Sequence, residues 1–308
     1  MDAGGVRQFP EAGERPLVFA GSTQRLGTSD PLFSLGEITA RVLAPRGYSV
    51  QVLNESGGPL NPRFVGDGRA DLGATQPGTA ARAFAGRGEF AGEAPRDNLC
   101  AIATICRPYW VALAVSVESG ITDLSQIKER RLPLRFSIAA SADSILRHYG
   151  LSRDELLAYG GQEVRGQDSR NLQLIISNMY LANTPAGRRW LEACTNMDLR
   201  FLDLPDKLIE RILEEDGEGE QGFIPHGYLP GVDHDVRTVS RPYLIIYTRD
   251  DAPGPAIRTL AEGYDRERRY FRETHVNFSY DTEEVAMHAG IPLHPAALAY
   301  YQERGYPT

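Results

Sequence analysis

The hydrophobic pattern changes its period several times within the first third of the chain. Residues 17–20 are a short apolar run, typical of a buried strand, and Gly-Ser-Thr follows it. Asp30 and Pro31 are typical of a helix N-terminus, and the apolar residues from 32 to 42 repeat at helical spacing. A strand, a helix opened by Asn61-Pro62, a strand and a helix led by Pro77 follow. This alternation predicts a parallel sheet with right-handed crossovers, so the fold class is α/β.

The rest of the chain continues the mixed pattern. Strands are predicted at 99–105, 110–117, 132–141, 199–204 and 236–251. A turn and a short helix are predicted over 118–130, and further helices at 151–161, 169–183, 184–195, 206–215, 253–273 and 294–305. Ser152 and Glu155 have the spacing of a capping box, and His294 before Pro295 is expected to cap the last helix. The Gly- and Glu-rich segment 216–222 is predicted to be a solvated loop.

Two of the predicted strands end in small, hydroxyl-rich loops that lead into a helix. The first reads "FAGSTQ" and the second "IAASADS". In open α/β sheets, ligands bind beyond the carboxyl ends of strands, where helix N-termini favour an anion. We therefore expect the two loops to form the halves of an anion-binding cleft, with capping of the following helix as the alternative for each loop.

Composition narrows the classes of partner. The 308 residues have 42% hydrophobic content, a net charge of −8 and a pI near 5.4, which argues against a nucleic-acid surface. No stretch approaches the roughly 20 apolar residues of a membrane helix. Residues 1–16 lack the apolar region of a signal peptide. The expected location is the cytoplasm for the chain as written, and the periplasm if a leader has been removed.

Cysteine and histidine patterns predict neither a cofactor nor a metal site. Cys100 and Cys106 lie six residues apart in one predicted strand, roughly 20 Å apart, which excludes a disulfide between them. Buried, inert thiols are the expectation, and they favour a reducing compartment. The segment 226–235 brings His226, Asp233, His234 and Asp235 close in sequence and leaves metal binding as an alternative there, while the common catalytic motifs are absent.

Several segments, in order, resemble the solute receptors of TRAP transporters of the TAXI type. They are "VLNESGGPLNPRFVGDGRADLGATQ", "SVESGITDLSQIKERRLPL", "PHGYLPGVDHDVRTVSRPYLIIYTRDDAP" and "PLHPAALAYYQERG". The first loop lacks the aromatic residues usual in these receptors, and "IISNMYLANTPAGRRWLEA" replaces their Gly-x-x-Asp-Ala strand. The resemblance implies a two-lobed type II periplasmic-binding-protein fold with a ligand cleft between the lobes. Lobe one would be 17–117 with 241–308, lobe two 118–240, and 1–16 an N-terminal extension.

The resemblance also implies where ligand contacts lie. In the first lobe they would come from the loops after three strands: Ser22, Thr23, Gly57, Gly58, Asn61, Thr75 and Gln76. Where the chain leaves that lobe they would be Arg107, Tyr109 and Trp110, and in the second lobe Ser141, Ser144, Gln167, Arg170 and Asn183. Asn61 has a capping role as its alternative, and Arg107 that of an exposed loop arginine. Asn178 and Asn183 flank Tyr180, and their polarity suggests that they face the cleft.

Two functions follow as alternatives. The first is binding of a small organic anion, a carboxylate or an amino-acid-like molecule, for delivery to a membrane transporter subunit. The second is a cytoplasmic enzyme on the same fold, a decarboxylase or other lyase that acts on an aromatic or cyclic carboxylate in a water-poor cleft. Neither requires nucleic acid or a cofactor.

Overall fold

The chain forms two compact units. The computed structural model describes residues 8–22, 31–53, 60–105, 109–139, 141–164, 168–181, 185–216, 219–241, 244–274 and 278–308. Unit 1 comprises Met1–Arg107 with Tyr243–Thr308, and unit 2 comprises Pro108–Pro242. Each unit has its own sheet, flanked by helices and buried apolar side chains. The predicted α/β class is confirmed.

The elements are numbered in chain order. The strands are β1 Leu17–Ala20, β2 Val50–Val52, β3 Leu72–Thr75, β4 Leu99–Ile105, β5 Tyr109–Ser116, β6 Arg135–Ile138, β7 Gln162–Glu163, β8 Leu174–Met179, β9 Leu199–Phe201, β10 Glu220–Ile224, β11 Val236–Arg241 and β12 Leu244–Arg249. The helices are α1 Pro31–Leu43, α2 Leu60–Gly66, α3 Pro77–Ala85, α4 Ser125–Arg130, α5 Ala142–His148, α6 Arg153–Ala158, α7 Pro185–Asn196, α8 Asp206–Asp216, α9 Gly254–Arg266, α10 Arg269–Thr274 and α11 Pro295–Glu303.

The sheet of unit 1 has the order β2-β1-β3-β12-β4. Strands β1, β2 and β3 are parallel, and β12 runs antiparallel to β3 and β4. Along β1, Leu17 and Phe19 pack into one apolar cluster while Val18 and Ala20 pack into another. Burial on both faces explains why this strand reads as a continuous apolar run. Because β1 and β3 are parallel neighbours, their carboxyl ends lie at the same edge of the sheet.

The sheet of unit 2 has the order β10-β11-β5-β8-β6-β7, with β9 also paired to β5. Strands β6, β7 and β8 are parallel. Strand β5 pairs with β8, β9 and β11, so all of its residues belong to unit 2. The chain passes between the two units at 107/108 and 242/243. The expected lobe bounds, 117/118 and 240/241, stay a prediction. The sequence pattern alone does not show which sheet an apolar run will join.

Three predicted elements are wrong. The segment 169–183 was expected to be helical, but Leu174–Met179 forms strand β8, because a short apolar run fits a buried strand as well as a buried helix. The predicted helix 253–273 is divided into α9 and α10. Part of the predicted loop 216–222 is paired, since Glu220 begins strand β10 opposite Ser240.

Two predicted helix caps are confirmed. The Ser152 hydroxyl accepts a hydrogen bond from the Glu155 backbone N–H at 3.1 Å and starts α6. His294 Nδ1 accepts from the Ala296 N–H at 3.2 Å and starts α11. In both cases a side chain satisfies a donor that the first helical turn leaves unpaired.

Candidate ligand-binding site

Two buried hydroxyls lie at the carboxyl edge of the unit 1 sheet. Ala20 of β1 is paired with Gly73 of β3, and Ser22 and Thr75 each follow two residues later. Ser22 is 7% exposed and Thr75 is 0% exposed. Neither Ser22 Oγ nor Thr75 Oγ1 has a hydrogen-bond partner among the described residues. A buried hydroxyl without a partner costs about 1–3 kcal/mol, so two at one edge call for an explanation such as a ligand.

Asn61 holds the same two strand ends together. Its Nδ2 donates to the Gly21 carbonyl at 2.5 Å and to the Ala74 carbonyl at 2.8 Å. Helix α2 begins at Leu60, so Asn61 lies within the helix rather than at its N-cap. The amide therefore sets the spacing between the residues that precede Ser22 and Thr75, and a direct ligand contact by Asn61 stays a prediction.

Gln76 connects β3 to the start of α3. Its backbone is extended, Pro77 follows at the first helical position, and the Gln76 side chain makes no capping hydrogen bond. The N-terminus of this nine-residue helix thus lies next to the buried Thr75 hydroxyl. Helix N-termini favour anions and hydrogen-bond acceptors, which fits a polar ligand group at this edge.

The predicted hydroxyls of unit 2 are engaged within that unit. Ser141, in the left-handed conformation with φ of 57°, donates from Oγ to Asp216 Oδ2 at 2.8 Å and accepts from Arg241 Nη2 at 2.5 Å. The Ser144 hydroxyl donates to Glu215. Both carboxylates come from the end of α8. An anion next to Ser144 would face the Glu215 carboxylate, which is electrostatically unfavourable.

Arg170 also has a carboxylate partner in unit 2. Its Nε lies 3.1 Å from Asp168 Oδ1, and its side chain is 83% exposed. The hydrogen bond raises the pKa of Arg170 and lowers the pKa of Asp168. Exposed pairs of this kind contribute little to stability.

The aromatic candidates at the start of β5 occupy different settings. Trp110 is buried in an apolar cluster, and its ring meets Tyr228 edge-to-face with centroids 4.8 Å apart. Tyr109 is partly exposed and meets Tyr180 edge-to-face at 6.1 Å. Trp110 therefore packs in the core of unit 2, while Tyr109 lies beside the residue that follows β8. The remaining candidates lie outside the described residues: Thr23, Gly57, Gly58, Arg107, Gln167 and Asn183.

Sequence reasoning missed Arg189, in helix α7. Its Nη1 donates to the Ser137 hydroxyl at 2.8 Å. Ser137 is the penultimate residue of β6, which runs parallel to β8, and α7 is the next helix after β8. The guanidinium therefore lies at the carboxyl end of two parallel strands, where open α/β sheets bind ligands. The available signal was a Pro-led helix with paired arginines, but its meaning depends on β8 being a strand.

Trp190, the next residue, fixes helix α7 against β8. Its Nε1 donates to Ser177 Oγ at 3.0 Å and to the Asn178 carbonyl at 2.9 Å, and its ring stacks on Phe201. Asn178 Oδ1 is buried without a hydrogen-bond partner among the described residues. The end of β8 thus carries polar groups next to a firmly packed helix, and the expectation that Asn178 faces a ligand cleft stays a prediction.

Both described cysteines are buried, and two of the described histidines, His234 and His294, have side-chain hydrogen-bond partners. Burial raises the pKa of Cys100 to about 11 and that of Cys194 to about 12, and both thiols are free, as predicted; Cys106 lies outside the described residues. His234 is bonded to Asp233 at 2.7 Å, and His294 caps α11. These settings give no support to the lyase alternative.

Two other kinds of feature are absent from the described ranges. Among these residues no group of His, Cys, Asp and Glu could hold a metal ion. Within the same ranges, no helix is long and apolar enough to cross a membrane.

The fold and the strand-edge polar groups define a class, an α/β protein of two units with candidate ligand groups in each. The profile of the NMT1-like family matches residues 27–305, and the chain belongs to this family. It is a family of solute-binding proteins. The narrower resemblance to TAXI-type receptors stays a prediction. No curated protein matches the chain.

Solved structures with low identity cover most of the chain. MatC from Rhodopseudomonas palustris with bound malate is 13% identical, with a TM-score of 0.47, over 94% of this chain and 97% of that one. The periplasmic aliphatic sulphonate binding protein SsuA from Escherichia coli is 14% identical, with a TM-score of 0.41, over 93% and 78%. XAC2383 from Xanthomonas citri bound to chloride ion is 14% identical, with a TM-score of 0.44, over 93% and 95%. Likenesses at this level identify neither ligand nor partner.

Proposed function

We propose that this chain binds a small organic anion, a carboxylate or amino-acid-like molecule, and that it acts as a receptor for a TRAP-type membrane transporter. Membership of a solute-binding family supports the general role. The observation that carries the proposal is the pair of buried hydroxyls, Ser22 and Thr75, without hydrogen-bond partners among the described residues.

Among the described residues neither hydroxyl gains a hydrogen bond for the water it leaves, and such burial lowers the stability of a ligand-free protein. A ligand that supplies an acceptor or donor at the strand edge removes that cost and gains two directed bonds. Asn61, which ties Gly21 to Ala74, keeps the two hydroxyl-bearing strand ends at a fixed spacing. A preformed site of this kind reduces the conformational entropy that the protein loses when the ligand binds.

The proposal is tested by calorimetric titration and thermal unfolding with malate, glutamate and benzoate. Malamide, glutamine and benzamide are the matched probes in which one or more carboxylates become amides. We expect at least one carboxylate to bind with a Kd below about 100 μM and to raise Tm, and its amide to bind at least tenfold more weakly. Absence of binding by all three carboxylates contradicts the proposal.

Delivery to a transporter is tested separately. Uptake of the radiolabelled carboxylate that binds is measured in native cells with and without the gene for this chain. We expect uptake to fall on deletion and to return when the gene is restored. Unchanged uptake would contradict the transporter role while leaving ligand binding intact.

A further inference from the structure

A row of three side chains crosses the sheet of unit 1 near its carboxyl edge. Ile245 of β12 is paired with Thr75 of β3 on one side and with Thr104 of β4 on the other. Residues paired across neighbouring strands present their side chains to the same face of a sheet. Ile245 packs in the apolar cluster that also contains Ala289 and Ile291. Both threonines therefore point to the face against which these two C-terminal residues pack.

A turn formed by residues 287–290 is fixed at this edge by two contacts. The Thr104 hydroxyl donates to the Met287 carbonyl at 2.6 Å. At the other end of the turn, a Cβ at Gly290 would lie 2.7 Å from the Pro77 carbonyl oxygen, so the two backbones are in contact. Pro77 is the first residue of α3. The turn therefore connects the carboxyl end of β4 with the N-terminus of α3, within unit 1.

His288 lies between these two contacts in an unfavourable backbone conformation. Its φ is 56°, and the residue is exposed. A side chain makes this left-handed region costly, whereas glycine enters it freely. Such conformations persist only where the surrounding structure fixes them, and they are concentrated at binding and catalytic sites. The turn thus holds an exposed imidazole beside the strand edge at the expense of backbone strain.

The Thr75 hydroxyl supplies a separate indication of a ligand at this place. It is fully buried and has no hydrogen-bond partner among the described residues. The N-terminus of the nine-residue helix α3 follows it and favours a carboxylate. Thr75 and Thr104 are separated by one strand, so their backbones lie about 10 Å apart. A small organic acid bound at Thr75 can span most of this distance, and the imidazole of His288 can meet its far end.

We propose that His288 hydrogen-bonds the ligand bound at the strand edge of unit 1 and selects carboxylates that carry a second polar group. The inference rests on the proposed function. The carboxylate lies at Thr75 and the N-terminus of α3, and the imidazole meets the second group, which is a hydroxyl, an amine or another carboxylate. A neutral imidazole has one donor and one acceptor nitrogen, so a bond made by one nitrogen within the fold leaves the other for a ligand.

The test compares His288→Gly with Asn171→Gly by thermal unfolding and by calorimetric titration with malate and glutamate. Asn171 is the matched control, because it lies in unit 2, is exposed and has a φ of 55°. Since glycine tolerates a positive φ, neither variant should lower Tm by more than about 3 °C. His288→Gly should weaken binding of both acids about tenfold or more through the lost hydrogen bond, and Asn171→Gly by less than about threefold.

Benzoate tests the selection itself, because it has a carboxylate and no second polar group. Wild type should bind benzoate at least about tenfold more weakly than malate or glutamate, and His288→Gly should change benzoate binding by less than about threefold.

Direct contact is read by nuclear magnetic resonance on wild-type protein labelled with ¹³C-histidine. The signal of His288 is assigned by its absence from His288→Gly. We expect saturating malate or glutamate to shift it and to leave the signal of His234, which is bonded to Asp233 in unit 2, in place.

The outcomes separate this inference from the proposed function. If wild type binds none of the three carboxylates, both fail. If wild type binds malate or glutamate but His288→Gly keeps the affinity, or the His288 signal does not move, only the role of His288 fails. The same holds if Asn171→Gly loses affinity to the same extent, or if wild type binds benzoate as tightly as the other two acids.

Discussion

Arg15 and Asp71 form a two-bond ion pair across 56 positions of sequence, with Nη1–Oδ2 and Nη2–Oδ1 distances of 2.8 Å. Asp71 is fully buried, and its Oδ2 also accepts the Val18 N–H at 2.8 Å. The carboxylate at the start of β3 therefore joins the segment before β1 to the first strand pair. Residues near Arg15, expected to be an extension of the fold, are tied to its central sheet.

Breaking this pair from one side should destabilise the protein. Arg15→Ala leaves the Asp71 carboxylate buried with only the Val18 N–H, and we expect a loss of about 2–4 kcal/mol in the free energy of unfolding, less than for a fully buried pair because Arg15 is partly exposed. Urea unfolding measures the loss, with the exposed Arg170→Ala as control, expected within about 0.5 kcal/mol of wild type. A loss below about 0.5 kcal/mol for Arg15→Ala would show that the ion pair contributes little to the stability of the protein.

Removing the Ser22 and Thr75 hydroxyls should separate stability from binding. Thr75→Val and Ser22→Ala are expected to leave the free energy of unfolding unchanged or raise it by about 1 kcal/mol, because an unsatisfied buried group is lost. Both should weaken carboxylate binding about tenfold or more, since a hydrogen bond to the ligand is lost. Unfolding and calorimetric titration are measured on the same samples.

Thr248→Val is the matched control for those variants. Thr248 is also fully buried in unit 1, but its hydroxyl donates to the Asp71 carbonyl at 2.8 Å. We expect it to lose about 1–2 kcal/mol of stability and to keep its ligand affinity. If Thr75→Val and Thr248→Val behave alike, the unpartnered hydroxyl has no special role in binding.

Gly21 should not tolerate a side chain. A Cβ at this position would lie 2.8 Å from the Leu32 carbonyl oxygen, which belongs to the backbone of α1. Gly21→Ala must therefore push α1 away from the strand end, with an expected loss of about 1–3 kcal/mol and weaker ligand binding through displacement of Ser22. Gly254→Ala is the control, since its Cβ would meet the nearest atom, Ala296 Cβ, at 3.6 Å. Equal Tm values for the two variants would contradict the steric argument.

His294 should make stability fall at acid pH. Burial lowers the pKa of His294, whose Nδ1 accepts the Ala296 N–H and whose Nε2 lies 3.1 Å from the Ala252 carbonyl. The unfolded chain binds a proton more readily, so unfolding is favoured as pH falls below the unfolded value of about 6.5, and stability is regained as pH rises through that value. Urea unfolding from pH 7.5 to 5.5 should show a shallower decrease for His294→Asn, which can still cap. Identical pH slopes for the two proteins would exclude a contribution from His294.

The described thiols should resist alkylation in the native state. With pKa values of about 11 for Cys100 and about 12 for Cys194, the thiolate is scarce at pH 8, and both side chains are buried. Iodoacetamide at pH 8 is expected to label them at least about 100-fold more slowly than in urea, as read by peptide mapping. Fast native labelling of Cys194 would show that helix α7 opens readily.

The local elements of the chain could be predicted where two signals agreed. Pro31, Pro77 and Pro185 begin helices, and the caps at Ser152 and His294 are present. The prediction failed over 169–183, where periodicity without an end signal did not distinguish strand from helix. That error concealed the Arg189 position, because a helix after a strand presents its first turns to a sheet edge and a helix after a helix does not.

The sequence by itself determined the α/β class, most helix starts and the hydroxyl-rich ends of β1 and β6, because these depend on local spacing, proline and capping chemistry. Only the tertiary structure decided which polar groups were already occupied. The hydroxyls of Ser22 and Ser141 look equivalent along the chain, yet the first is buried without a partner in the described residues and the second bonds Asp216, 75 positions away. Hydrogen-bond partners distant in sequence are set by packing, so the difference between an available donor and a used one appears only in the folded chain.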